Sequence, residues 1–282
     1  MKKLNLFLIL CVVFGAALPA RAATVNVVTT TEDLKSITEH IGKDKVKVTS
    51  LGRGSQNYHF LAAKPSFMIK ARNADLFIRN GLDLEIGYES LILEGARNRN
   101  IQSGQKGYLD ASNGIIPLDV PEKLDRSMGD IHAGGNPHYW IDPLNAKIIA
   151  HNIADRLSDL NPEDKIFFQK NLEDFNRRID EKMKEWAEAL APYKGEKIMS
   201  YHQSWTYFAH RFDFDIIGEL EPKPGVPPSG AYLKKVIDEV KEHNVKVILN
   251  ENIYKVDAAQ YVAGETGASV VVAPISVGGT KR

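Results

Sequence analysis

The chain has 282 residues, 43% of them hydrophobic, with 36 Lys and Arg balanced by 36 Asp and Glu for a formal net charge of zero. That balance offers no electrostatic case for nucleic-acid binding. The single cysteine, Cys11, lies in an apolar leader, so neither disulfides nor thiolate chemistry are available to the rest of the chain.

Lys2 and Lys3, the apolar run Leu4 to Ala17 and the small-residue triplet Ala20-Arg21-Ala22 read as a secretory signal peptide over residues 1–22. Leu10 precedes Cys11 where a lipoprotein would need a small residue, so lipidation is not expected and a periplasmic location is. Removing the leader leaves 33 basic against 36 acidic residues, a mild net charge of −3. No later segment approaches the length of a membrane span. The mature length suits one large domain or two ordinary lobes.

In chain order, residues 24–30 (TVNVVTT) predict a buried strand, and Thr31-Glu32-Asp33 predict the start of a helix to about His40. A second strand is expected over Val46 to Leu51, a short helix over 65–73 and a third strand over Asp75 to Asn80. This alternation predicts a parallel, helix-covered sheet. The texture changes after Pro143. Asn145 to Leu157 and Pro162 to about Leu190 repeat apolar residues at helical spacing, the second stretch long enough to run the height of a domain. The alternation then resumes: strands over Lys197 to Tyr201, Phe214 to Leu220, Val245 to Asn250 and Ser269 to Ala273, with helices over Ser204 to Arg211, from Ser229 to His243 and over 255–266. The fold class is therefore α/β, with lobes at 23–143 and 194–282 and a helical linker at 144–193. Ligands of open α/β sheets sit beyond the carboxyl ends of the strands, and two such lobes can face those ends across a cleft.

Of eight histidines, His40, His151, His210 and His243 fall in or at the ends of helices and read as solvated or half-buried. His59 (NYHF), His138 (NPHYWIDP) and His202 (SYHQSW) fall where strands give way to loops, where functional groups concentrate. Three imidazoles and a carboxylate would complete a tetrahedral zinc site, although no local zinc motif is present.

Those three motifs, in that order and across nearly the whole mature chain, resemble the solute-binding proteins of bacterial ABC importers for zinc and manganese. The resemblance implies two Rossmann-like (β/α) lobes joined by a long rigid interlobe α-helix, a metal site in the cleft, and little domain closure. It implies His59, His138 and His202 as ligands, and as partners a divalent metal ion and a membrane permease, with no nucleic acid and a monomeric protein. Related manganese binders often carry a carboxylate where this chain has His202; nitrogen there favours Zn²⁺ over Mn²⁺. The family's late acid is absent: Pro274 to Thr280 reads PISVGGT, and the terminal helix expected beyond it is missing as well. Glu251 in LNENIY is the substitute fourth ligand. His132 is a further candidate, expected to be solvent-exposed, Asp142 is expected to cap the following helix, and Trp140 to pack in the core. A zinc hydrolase with Glu251 as general base, and a manganese rather than zinc binder, are the alternative readings. Because ligation needs neutral imidazole, binding is expected to weaken below about pH 6.

Overall fold

The computed structural model describes residues 24–123 and 132–280; the expected leader lies outside the described residues. The first lobe contains β1 (Val25–Thr29), α1 (Glu32–Gly42), β2 (Val46–Ser50), α2 (Pro65–Arg72), β3 (Leu76–Arg79), α3 (Glu89–Ala96) and β4 (Tyr108–Asp110). Its four strands pair in parallel in the order β2-β1-β3-β4. Then come α4 (Pro143–Leu160) and α5 (Lys165–Leu190). The second lobe holds β5 (Lys197–Ser200), α6 (Thr206–Phe212), β6 (Asp215–Glu219), α7 (Gly230–Glu242), β7 (Val247–Glu251), α8 (Asp257–Thr266) and β8 (Ser269–Ala273). Its sheet, also parallel, has the order β6-β5-β7-β8.

The helices begin where polar side chains satisfy their first amides. Thr31 Oγ1 accepts from the Leu34 N–H, Asp142 from Leu144 and Ser229 from Tyr232. Pro143 stands in the first turn of α4, where its missing N–H costs nothing. β4 and α3 were not expected from the sequence. β4 is only three residues long, too short for a period to show. The start of α3 has no side-chain cap, and at eight residues the helix is too short for its period to stand out.

Side-chain alternation splits the first lobe's core in two. Val27, Leu76 and Ile78 face α1, α4 and α5, while Val28 and Phe77 face α2 and α3. In the second lobe Met199 and Ile248 pack under α7 and α8 with Val236, Val240 and Val262. Each fully buried aliphatic side chain contributes about 1.5–3 kcal/mol. The long helix differs in one respect from the expectation of a brace packed against both lobes. Phe168 and Leu172 of α5 join the first lobe's core, but beyond Asp180 only Met183 and Leu190 are even half-buried.

What ties the lobes together lies instead beside the cleft. Arg211 of α6 reaches Asp142, at 2.7 Å from Nη2 to Oδ2. The Trp140 indole N–H donates to the Ile275 carbonyl at 2.7 Å. Tyr207 donates its hydroxyl proton to the Asn136 carbonyl at 2.8 Å and accepts from the Leu118 N–H at 3.0 Å. Among the described residues no helix is long and apolar enough to cross a membrane.

Candidate metal centre

The three histidines of the strand-to-loop motifs converge on one another. His59 follows β2 in a short 3-10 turn, Tyr58–Phe60, whose preceding residue Asn57 accepts the His59 amide at 3.0 Å. The turn lies so close to the chain before it that a Cβ on Gly52 would meet the Tyr58 ring at 2.6 Å, so glycine is needed there. Asn57 also donates to the Tyr254 hydroxyl of the second lobe at 3.1 Å.

His138 is held from several sides. Asn80 Nδ2 donates to the Pro137 carbonyl at 3.0 Å, and Tyr139 returns its hydroxyl to the Asn80 carbonyl at 2.5 Å. Asn136 Oδ1 accepts the His138 amide at 3.0 Å and lies 2.9 Å from Nδ1. That contact places the ring proton on Nδ1 and leaves Nε2 with a lone pair facing the cleft. The Asn136 amide group in turn donates to Asp119 at 3.0 Å and to the Gln203 carbonyl at 2.8 Å, so the histidine's anchor is itself fastened to the second lobe.

His202 leaves the carboxyl end of β5. Its Nδ1 lies 2.6 Å from Glu221 Oε2, and the other Glu221 oxygen accepts the Gly225 amide at 3.1 Å. Glu221 is buried at the end of β6, the same end of the sheet as His202. It orients the ring, holding Nδ1 so that Nε2 is the nitrogen left for a cation. Glu221→Gln is expected to weaken metal binding by about 10–100-fold with the fold intact, measured by competition against a chelating indicator. Unchanged affinity would assign the pair a purely structural role.

The ligand atoms of His59, His138 and His202 all lie within 4.8 Å of one another. His59 Nε2 and His138 Nε2 are 3.1 Å apart. Two nitrogens on one tetrahedral zinc would be about 3.3 Å apart, given Zn–N bonds of about 2.0–2.1 Å. Burial first, then the imidazole of His202, holds His59 well below the ordinary histidine pKa; burial and then His59 do the same for His138. Both rings are therefore neutral, ready to bind a cation, at a pH where exposed histidines already protonate.

Glu251, at the end of β7, is fully buried, and its carboxylate is not part of the three-imidazole group. Neither oxygen has a partner in hydrogen-bonding geometry. Burial pushes its pKa up to about 7, against the opposing pull of His202 and of the nearby Ser204 side chain. Asp142 faces Leu144 and Arg211 rather than the imidazoles, as a helix cap would. Trp140 is half-buried, its ring centroid 5.2 Å from that of His138. His132 departs from expectation: it is half-buried rather than solvent-exposed, its ring beside His59. His40, His151, His210 and His243 are exposed or half-buried, as their helical settings predict. Asn136 and Glu221 were not singled out from the sequence. Their only sequence signal is a polar residue next to a turn or strand end, and many such residues have no role.

Two parallel-sheet lobes with three converging imidazoles between them define a two-lobed α/β protein whose cleft is suited to a transition-metal ion. The chain belongs to the ZnuA family, described as zinc-uptake complex component A, periplasmic, whose profile matches residues 27–282. It is 26% identical to the high-affinity zinc uptake system protein ZnuA of Bacillus subtilis over 252 residues, covering 88% of this chain and 77% of that protein. It is 29% identical to the manganese ABC transporter substrate-binding lipoprotein PsaA of Streptococcus mitis over 267 residues, covering 89% and 82%. Among solved structures, a crystal structure of ZnuA superposes with a TM-score of 0.77 at 26% identity, covering 90% of this chain and 93% of that one. A Mn-bound periplasmic metal-binding protein from Candidatus Liberibacter asiaticus superposes with a TM-score of 0.71 at 26% identity, covering 87% and 86%.

Proposed function

We propose that the protein binds a divalent transition-metal ion outside the cytoplasm, Zn²⁺ in preference to Mn²⁺, and delivers it to the membrane permease of an ABC importer. The observation that carries this reading is the convergence of His59, His138 and His202, two of them neutralised by burial, from both lobes onto one point. The ion is cargo: it enters the cleft, exchanges its water for imidazole, and leaves again for the permease. Three nitrogen donors suit zinc, whereas manganese prefers oxygen. Asn136 and Glu221 hold two of the rings by their Nδ1 atoms, so little reorganisation is needed when the ion arrives. Export through a cleavable leader and a monomeric state belong to the same reading.

In it, Glu251 is the buried carboxylate that balances the incoming charge from beside His202. Its raised pKa gives a definite sign. At about pH 6 the carboxyl of the metal-free protein is mostly protonated, because its pKa stands at about 7. A nearby dication favours the carboxylate, so binding expels a proton over the range from about pH 5 to 7. The depressed histidine pKa values also move the acid weakening of metal binding below the pH of about 6 expected for unperturbed imidazole.

The test is a calorimetric titration with Zn²⁺ and Mn²⁺ in competition, at several pH values and in buffers of different ionisation enthalpy. One tight zinc site with proton release at about pH 6 that Glu251→Gln abolishes is the expected result. Tight manganese binding with weak zinc binding would reverse the metal assignment. Turnover of ester or peptide substrates by the zinc-loaded protein would replace transport with hydrolysis.

A further inference from the structure

Three imidazoles leave a tetrahedral ion one donor short. Two residues stand near enough to be considered. Glu251 is sealed in the second lobe, whereas His132 opens onto the cleft. His132 lines a cavity of about 180 Å³ together with Asp119, His138, His202 and Pro224. Its ring centroid lies 4.9 Å from that of His59, with the planes inclined by 34°. The other ring separations are 5.1 Å for His59 to His138, 5.7 Å for His59 to His202 and 5.2 Å for His138 to His202. Two imidazoles sharing one tetrahedral zinc through a ring nitrogen have centroids about 5 Å apart, given Zn–N bonds of about 2.0–2.1 Å. His132 therefore already keeps a co-ligand's distance from His59. A charge on it would also bear on both His59 and His138, which places it on their side of the site.

The backbone around it supports a ring that moves while its turn stays. The Gly135 amide donates to the His132 carbonyl at 3.1 Å, and the Gly134 amide to Asp83 at 3.3 Å. Gly135 has φ +100°, and a Cβ there would meet the Leu118 carbonyl at 2.8 Å, so only glycine lets the turn lie so close to its neighbour. The nitrogens of His132 are outside the group that approaches within 4.8 Å. Rotation about its two side-chain torsions, on a pinned turn, is the movement required.

We propose that His132 is the fourth metal donor, an imidazole that closes over the ion from the cavity side and makes the site all-nitrogen. The inference rests on the metal-binding reading and sharpens it: four neutral nitrogens take the place of the acid missing from Pro274 to Thr280, and they select zinc over manganese.

The experiment is zinc K-edge X-ray absorption on the zinc-loaded protein, wild-type, His132→Ala and Glu251→Gln, with zinc affinity by competition and circular dichroism to confirm folding. The expected result is imidazole scattering from four rings in the wild type and three in His132→Ala, with affinity lowered about 100-fold in that variant. Glu251→Gln should keep four rings. Three rings in the wild type, unchanged in His132→Ala, would overturn the proposal while leaving the metal-binding function standing. A folded wild type that takes up no zinc would remove both.

Discussion

Replacing His138 with alanine is expected to weaken zinc binding by about 10³-fold while leaving the protein folded. Zinc bound by four protein donors is held by roughly 10–16 kcal/mol, so one donor accounts for about 3–4 kcal/mol, or two to three powers of ten. His138 belongs at the upper end. It is 4% exposed, its ring is oriented by Asn136, and its Nε2 lies 3.1 Å from that of His59, so its lone pair meets the ion with almost no reorganisation. The fold should survive because the anchors of the loop use other atoms. Asn80 holds the Pro137 carbonyl, and the Tyr139 hydroxyl holds Asn80. Competition against a chelating indicator measures the loss, and far-ultraviolet circular dichroism checks the fold. An affinity within about threefold of wild type would place the ion elsewhere.

The second large effect is on stability. Asp142→Ala is expected to cost about 3 kcal/mol in the metal-free protein. Roughly 1 kcal/mol comes from the lost cap of α4, whose Leu144 amide Asp142 accepts at 2.9 Å. About 2 kcal/mol comes from the charge-assisted hydrogen bonds of Arg211, at 2.9, 3.0 and 2.7 Å, onto a carboxylate that is only 5% exposed. For a chain of this size that corresponds to a fall in Tm of about 6–12 °C. Asp142→Asn should recover the cap but not the ion pair, and a double-mutant cycle with Arg211→Ala isolates the interlobe part. A melt shifted by under about 2 °C would mean that solvent replaces Arg211 without penalty. The pair matters beyond stability, because Asp142 begins α4 and Arg211 lies on α6. It joins the lobes next to the loop that carries His138.

The octapeptide NPHYWIDP shows how far local chemistry reaches. Asp142-Pro143 as cap and first turn follows from side-chain and backbone geometry within a few residues, and it forms as expected. Pro137 restricts its neighbours, but what orients the His138 ring is Asn136, two residues away, whose own amide is held by Asp119 and the Gln203 carbonyl. Trp140 combines packing with a hydrogen bond to Ile275, far away in sequence. Glu221, which opens the proline-rich stretch EPKPG, is buried against His202. His132 looked like a solvated loop residue and lies beside His59.

By itself, then, the sequence determined the α/β class, the two lobes, the caps at Thr31, Asp142 and Ser229, and the three histidines at strand ends, because periodicity, capping and strand-to-loop boundaries are local properties of the chain. Only the tertiary structure decided which groups sit behind those histidines, that Glu251 is fully buried and outside the group their ligand atoms form, and that the lobes join through cleft-side hydrogen bonds rather than the far half of α5. Those outcomes depend on side chains from separate elements meeting at about 3 Å once the two sheets face one another, and no spacing along one chain encodes that meeting.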